Sequence, residues 1–129
     1  MTVPTVATYS IAAYIAAHTG LLSEIDGAAT AGKVFIRDST DALLATIILN
    51  GTSGAVSGTT GVLTITEPAQ VQAIIDGTAA YAELTDGDDN LLLSLPVVAG
   101  VVPVSGYAVL NTTAIKNNQV VGLVSATIG

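Results

Sequence analysis

The segment Asp86-Gly87-Asp88-Asp89-Asn90 sets three acids within five residues, the densest group of potential metal ligands in the chain. The carboxylates of Asp86 and Asp88 and the amide oxygen of Asn90 are spaced to approach one cation. A calcium loop, however, needs about six to eight oxygens, usually with a bidentate Glu near its end, and no such Glu follows here. The alternative is a tight turn in which Gly87 and Asn90 supply positive φ and the Asp side chains close local hydrogen bonds. Both flanks, "TAAYAEL" and "NLLLSLPV", read as strands. The turn is therefore the simpler reading, with Asp86, Asp88 and Asn90 kept as weak calcium ligands, and its acids also discourage edge-to-edge aggregation.

Other residues with chemical potential are more scattered. His18 could act as a general base toward Ser10 or Ser23, but a lone imidazole near a helix C-terminus is favoured there by the helix dipole alone. The pairs Glu24/Asp26 and Asp38/Asp41 could do acid/base work. Without aromatic residues to form a cleft, they read more simply as solubilising surface acids. "NGT" (50–52) and "NTT" (111–113) match the glycosylation acceptor pattern, which matters only in a eukaryotic secretory setting. The opening "MTVPTVATYS" has no basic segment ahead of an apolar one, so Sec export is not expected. The Gly-rich stretch 51–61 lacks GxGxxG order, a following helix and a lysine, which argues against a phosphate cradle. No enzyme motif survives; neither a catalytic residue nor a cofactor is expected.

Composition narrows the partners. There are no cysteines and one histidine, so thiolate zinc sites, disulfides and multi-His sites within one chain are excluded. Three basic residues oppose ten acidic ones, for a net charge of −7. Nucleic acid and anionic membranes are thereby disfavoured, while a basic protein surface remains a reasonable partner. Mean hydropathy is high, +0.69, yet no apolar run reaches the roughly 20 residues of a spanning helix. "IAAYIAA" stops at His18 and Gly20, and "LPVVAGVVPV" carries two prolines and a glycine.

The elements that must position these residues follow from periodicity. Residues 1–8 read as an extended arm. A short helix is predicted over residues 9–18, capped by Ser10 or Thr8, ended by Gly20 and docked through Ile11 and Ile15. Together they form an N-terminal region, 1–30. From residue 31 to 129 the pattern is all-β: "KVFIRD" (33–38) alternates Val34 and Ile36 against Lys33, Phe35 and Arg37, and "ALLATIILN", "VLTITE", "TAAYAEL", "NLLLSLPV", "YAVLNTT" and "QVVGLVSATI" follow. The uncharged 51–61 segment is either a flexible loop or a smooth contact surface. About seven to eight strands with frequent turn signals suit an antiparallel β-sandwich or jelly roll.

The order of a short helix, "KVFIRD", "LLATIIL", "DGTAAYAELTD", "VLNTTAIKNNQVV" and "GLVSATI" resembles a family of small tailed-bacteriophage virion proteins, over roughly residues 9–128. Such proteins are similar to the jelly-roll or sandwich-shaped decoration and cement proteins on capsid exteriors. The resemblance implies a structural virion protein, made in the host bacterial cytoplasm, whose partners are the major capsid protein and neighbouring copies of itself as a dimer or trimer. By the same resemblance the contact residues are Val3, Pro4 and Val6 of the arm, Ile11, Tyr14 and Ile15 of the helix, and the loop Ser53–Thr60. The chain has no Trp, unlike many such proteins, which removes one common interface anchor. A tail or head–tail junction protein and an exposed host-glycan-binding domain using Tyr9, Tyr14, Tyr81 or Tyr107 are the other readings.

Overall fold

The structure, a computed structural model, describes residues 10–27 and 30–128. Among them, one helix, α1 (Ile11–Asp26), precedes twelve strand segments: β1 (Lys33–Arg37), β2 (Leu43–Ile48), β3 (Gly54–Val56), β4 (Leu63–Ile65), β5 (Val71–Gln72), β6 (Gly77–Thr78), β7 (Tyr81–Thr85), β8 (Leu91–Ala99), β9 (Ala108–Leu110), β10 (Ala114–Ile115), β11 (Val120–Val121) and β12 (Leu123–Ile128). The protein is thus mostly β with one helix. Eight strands form a curled sheet in the order β2-β1-β7-β8-β9-β12-β4-β3, and β6–β10 and β5–β11 form short ladders of their own.

Alternation sets the inner face as expected. Val34 and Ile36 of β1 are buried and sit opposite Ile47 and Ala45 of β2, and opposite Leu84 and Ala82 of β7. Lys33, Phe35 and Arg37 line the other face, where the Arg37 guanidinium lies 5.6 Å from the centre of the Phe35 ring and pairs with Glu83. β8 serves both halves of the sheet. Up to Pro96 it pairs antiparallel with β7; from Val97 to Ala99 it pairs parallel with β9. This corrects the expectation of a wholly antiparallel sheet. The parallel contact is only three residues long, so the chain must return a short distance, and residues 100–107 suffice where longer parallel ladders need a helical crossover. Pro96, with no N–H to donate, stands where β8 changes partner.

The curl has a chain-length cause. β2 and β3 are the two edges of the sheet, yet only residues 49–53 separate them. A flat eight-stranded sheet would hold its edges about 34 Å apart at ~4.8 Å per strand, whereas the six steps from Ile48 to Gly54 reach at most about 21 Å. The sheet must bend until its edges approach. Its concave face then closes on itself, and Ile36, Leu44, Ile47 and Leu84 of one half share one core with Leu63, Leu110 and Leu123 of the other.

Residues 71–80 bind the halves further. Ile74 and Ala80 donate backbone N–H groups to the carbonyls of Leu44 and Arg37, while Ala73 and Ala79 donate to Gln119 and Thr113. The 111–122 excursion between β9 and β12 is braced in turn by Asn111, whose side chain accepts from Gly122 N and donates to Val120 O. These two-residue ladders explain why twelve strand segments exist where about seven to eight were expected: "AQVQAIID" and "KNNQVV" are too short and mixed to show an alternating pattern.

Two of these positions give a direct test of the inner face. Ile36→Ala removes a fully buried side chain and is expected to cost about 2–5 kcal/mol in urea unfolding. Ile48→Ala, at a side chain 47% exposed, should stay within about 0.5 kcal/mol of the parent.

Candidate functional site

Helix α1 begins where Ser10 caps it, its side chain accepting from Ala13 N. It does not stop at Gly20, as expected from sequence, but runs to Asp26. His18, Leu21, Leu22 and Ile25 continue the apolar stripe past the glycine, and the burial of Ile25 against the sheet core outweighs about 1 kcal/mol of poor helix propensity. Gly27, not Gly20, follows its last turn.

The helix lies against the β3–β4 hairpin. His18, almost fully buried, donates from Nδ1 to the Gly61 carbonyl at 2.5 Å, and its ring packs 5.7 Å from that of Tyr14. Gly61 is demanded twice. Its φ is +75°, and a Cβ there would sit 2.6 Å from the Tyr14 Cβ. The hairpin tip is shaped by Ser57, whose Oγ accepts from Thr59 N and Thr60 N and whose carbonyl accepts from Gly61 N. The 51–61 stretch, read as a flexible loop or a smooth surface, contains β3 and the tip of the β3–β4 hairpin.

This packing brings together residues far apart in sequence. Ile11, 53% exposed, and half-buried Tyr14 and Ile15 stand beside the hairpin tip with exposed Thr60. The Ile11/Ile15 stripe continues through His18, Leu22 and Ile25 on one side of the helix, and burial along it runs from exposed Ile11 in the first turn to fully buried Ile25. Ser53, proposed as a contact residue, is corrected by its burial: it has no exposed surface, its N–H donates to the Asp26 carboxylate, and its carbonyl accepts from Thr66 N. Val3, Pro4 and Val6 lie outside the described residues. On the opposite, outward side of the helix Ala12, Ala13, Ala16, Ala17 and Gly20 are exposed and uncharged, so residues 11–23 carry no Asp, Glu, Lys or Arg on an acidic protein, and the first exposed acid of the helix is Glu24.

The candidate chemistry resolves into local structure. The 86–90 segment is the turn joining β7 to β8. Asp86 Oδ1 accepts from the N–H groups of Asp88 and Asn90, and its Oδ2 accepts from Asn90 Nδ2. Positive φ falls on Asp89, at 66°, rather than on Gly87 or Asn90. Gly87 is needed instead for close approach, since a Cβ would lie 2.0 Å from the Thr30 carbonyl oxygen. The donors from Asn90, with Asp88 N–H and Lys33 beyond, hold the Asp86 carboxyl below the usual carboxylate range. Among the described residues, no three His, Asp or Glu side chains are grouped to hold a metal ion.

Of the two acid pairs, Asp26, Asp38 and Asp41 have partners of their own. Asp38 caps the β1–β2 turn, accepting from Thr40 Oγ1, Thr40 N and Ala42 N, and its carboxyl is likewise lowered, first by Thr40. Asp41 accepts from the Tyr81 hydroxyl at 2.6 Å, a bond that pushes the phenol up to about 12. His18 is committed to Gly61, while Ser10 serves as the helix cap eight residues away, about 12 Å along the axis. Sequence reasoning missed Gly61 as the contact between helix and hairpin. Its signal, a glycine between two β-branched residues at a strand entry, is too common to single out.

A second apolar surface also escaped the sequence reading. In the 100–107 loop Val101 is 87% exposed, Val102 62%, and Val104 and Tyr107 are also outward. No charged residue occurs between Asp89 and Lys116. A shallow depression of about 270 Å³, lined by Asp76, Gly77, Thr78, Ala114, Ile115 and Lys116, is shaped by the β6–β10 ladder. No helix among the described residues is long and apolar enough to cross a membrane.

Compared with protein-family models, with curated proteins and with solved structures, the chain matches none.

Two outcomes follow from this geometry. Gly61→Ala should cost at least about 1–2 kcal/mol from the left-handed backbone alone and speed amide hydrogen exchange in residues 14–18 relative to those of β1 and β7. For Asp86, the folded carboxyl titrates below its unfolded value of about 3.9, so its contribution is fully present above that pH and lost as pH falls through the lower, folded value. Asp86→Asn should therefore be less stable than the parent at neutral pH, with the gap narrowing in acid as followed by circular dichroism.

Proposed function

We propose that this chain is a structural virion protein that binds the exterior of a tailed-bacteriophage capsid and stabilises it as a decoration or cement protein, its curled sheet serving as a sandwich-like or jelly-roll body. The observation carrying this reading is the uncharged surface formed by residues 11–23 of α1 and the β3–β4 hairpin tip on a chain of net charge −7, at the end of the helix that residues 1–9 precede in sequence. Such a surface can approach another protein without the desolvation of charged groups, while the acidic remainder keeps the domain soluble. Each contact is small, but many copies on a lattice give strong retention through multivalency.

The major capsid protein is the partner of this surface, and neighbouring copies meet through the uncharged 100–107 loop. Neither nucleic acid nor a membrane is a partner in this reading. Two of the three cations are already paired, Arg37 with Glu83 and Lys33 with Asp89. A glycan-binding platform draws less support, because Tyr14 packs on Gly61 and His18 and the Tyr81 hydroxyl is taken by Asp41.

Quantitative mass spectrometry of separated heads and tails tests the assignment. Copies on the order of those of the major capsid protein, confined to heads, are expected; a few copies on tails would replace this reading with a tail or head–tail junction role. With capsids in hand, deleting residues 1–9 or introducing Ile11→Asp should sharply lower occupancy, and unchanged occupancy in both would remove this surface from the interface.

A further inference from the structure

Residues 49–53, which connect the two edges of the curled sheet, contain the sequence Asn50-Gly51. Asn50 is exposed, and its amide is restrained by one long hydrogen bond, Nδ2 to the Glu67 carbonyl at 3.3 Å. Gly51 is exposed as well. It carries no side chain, and a Cβ at that position would have no heavy atom within 4 Å beyond its chain neighbours, so the space beside its backbone is open. We propose that Asn50 is a self-modification site, deamidating through a cyclic imide with water as the co-reactant and leaving aspartate or isoaspartate in the connection between the sheet edges.

The chemistry balances with water alone. Hydroxide takes the Gly51 N–H proton, and the nitrogen attacks Asn50 Cγ to form a new C–N bond. The Cγ–Nδ2 bond breaks and ammonia leaves. Water then adds to one imide carbonyl. Cleavage at Cγ–N leaves an ordinary aspartate, and cleavage at the main-chain carbonyl gives isoaspartate, in which the backbone runs through the side-chain carbon. The net change is one water gained and one ammonia lost. Both products remove the amide donor to the Glu67 carbonyl; the aspartate puts a carboxylate in its place, and the isoaspartate lengthens the short connection on which the curl depends.

The chain's other asparagines lack this combination. Asn90 precedes Leu91 and bonds Asp86; Asn111 precedes Thr112 and is held at both ends of its amide; Asn117 and Asn118 precede Asn118 and Gln119. In each case the attacking nitrogen belongs to a residue with a side chain, which hinders closure of the imide ring.

The test is incubation of the full-length folded protein in mildly alkaline buffer at about 37 °C, with peptide mapping by mass spectrometry and enzymatic labelling of isoaspartate. The expected result is accumulation of the deamidated mass at residue 50 ahead of every other asparagine, with a species one charge more acidic on ion exchange. Gly51→Ala fits the open space and an ordinary φ, and should slow the reaction without loss of fold. Equal or slower reaction at Asn50 than at the other asparagines, or an unchanged rate in a folded Gly51→Ala protein, would overturn the proposal. Neither result bears on the capsid role, which has its own test in occupancy.

Discussion

The short connection between β2 and β3 is the constraint from which the rest of the architecture follows. Because five residues must join the two edges of an eight-stranded sheet, the sheet cannot lie flat. Bending it turns one face inward, and that face carries the alternating aliphatic residues of both halves. A core built from Val, Ile, Leu and Ala with little aromatic bulk suits this, since small side chains let the curled halves approach closely. The edges are then treated differently. β2 gains a hydrogen bond from the 71–80 segment through Leu44, and β3 is packed by α1, so neither is left as an open template for strand addition.

Charge is distributed to match. The acids cluster at strand-connecting turns, where Asp38 and Asp86 each close a turn through several N–H donors. The cations of β1 are matched by Glu83 and Asp89 across the sheet. What remains without charge is α1 from residue 11 to residue 23, the β3–β4 tip and the 100–107 loop. On a strongly acidic domain those are the places where another macromolecule can come close at the lowest electrostatic cost, and this is why the functional proposal rests on surfaces rather than on a cleft.

Much of the sheet was legible in the residues because period-2 alternation is a local property. β1 could be placed from Val34 and Ile36, and the β7–β8 turn from "TDGDDN" between two strand runs. Helix length was less legible. Gly20 reads as a stop when only local propensity is weighed, and the continuation to Asp26 depends on Ile25 finding a buried site against Gly32 and the β7 end. The left-handed residue of the acidic turn was misplaced for a similar reason: Thr30, far away in sequence, occupies the space beside Gly87, and Asp89 takes the positive φ.

Composition and alternation were enough to define the molecule's class, an acidic, cysteine-free, mostly β chain with a helix near its start, because neither depends on what lies opposite. Which residues face outward together depended on the packing of distant segments. That packing put Ser53 inside, set Gly61 beside Ile11 and Tyr14, bound His18 to the Gly61 carbonyl, and made one ladder, β8 to β9, parallel. These are outcomes of long-range pairing and chain length, which no window of neighbouring residues encodes.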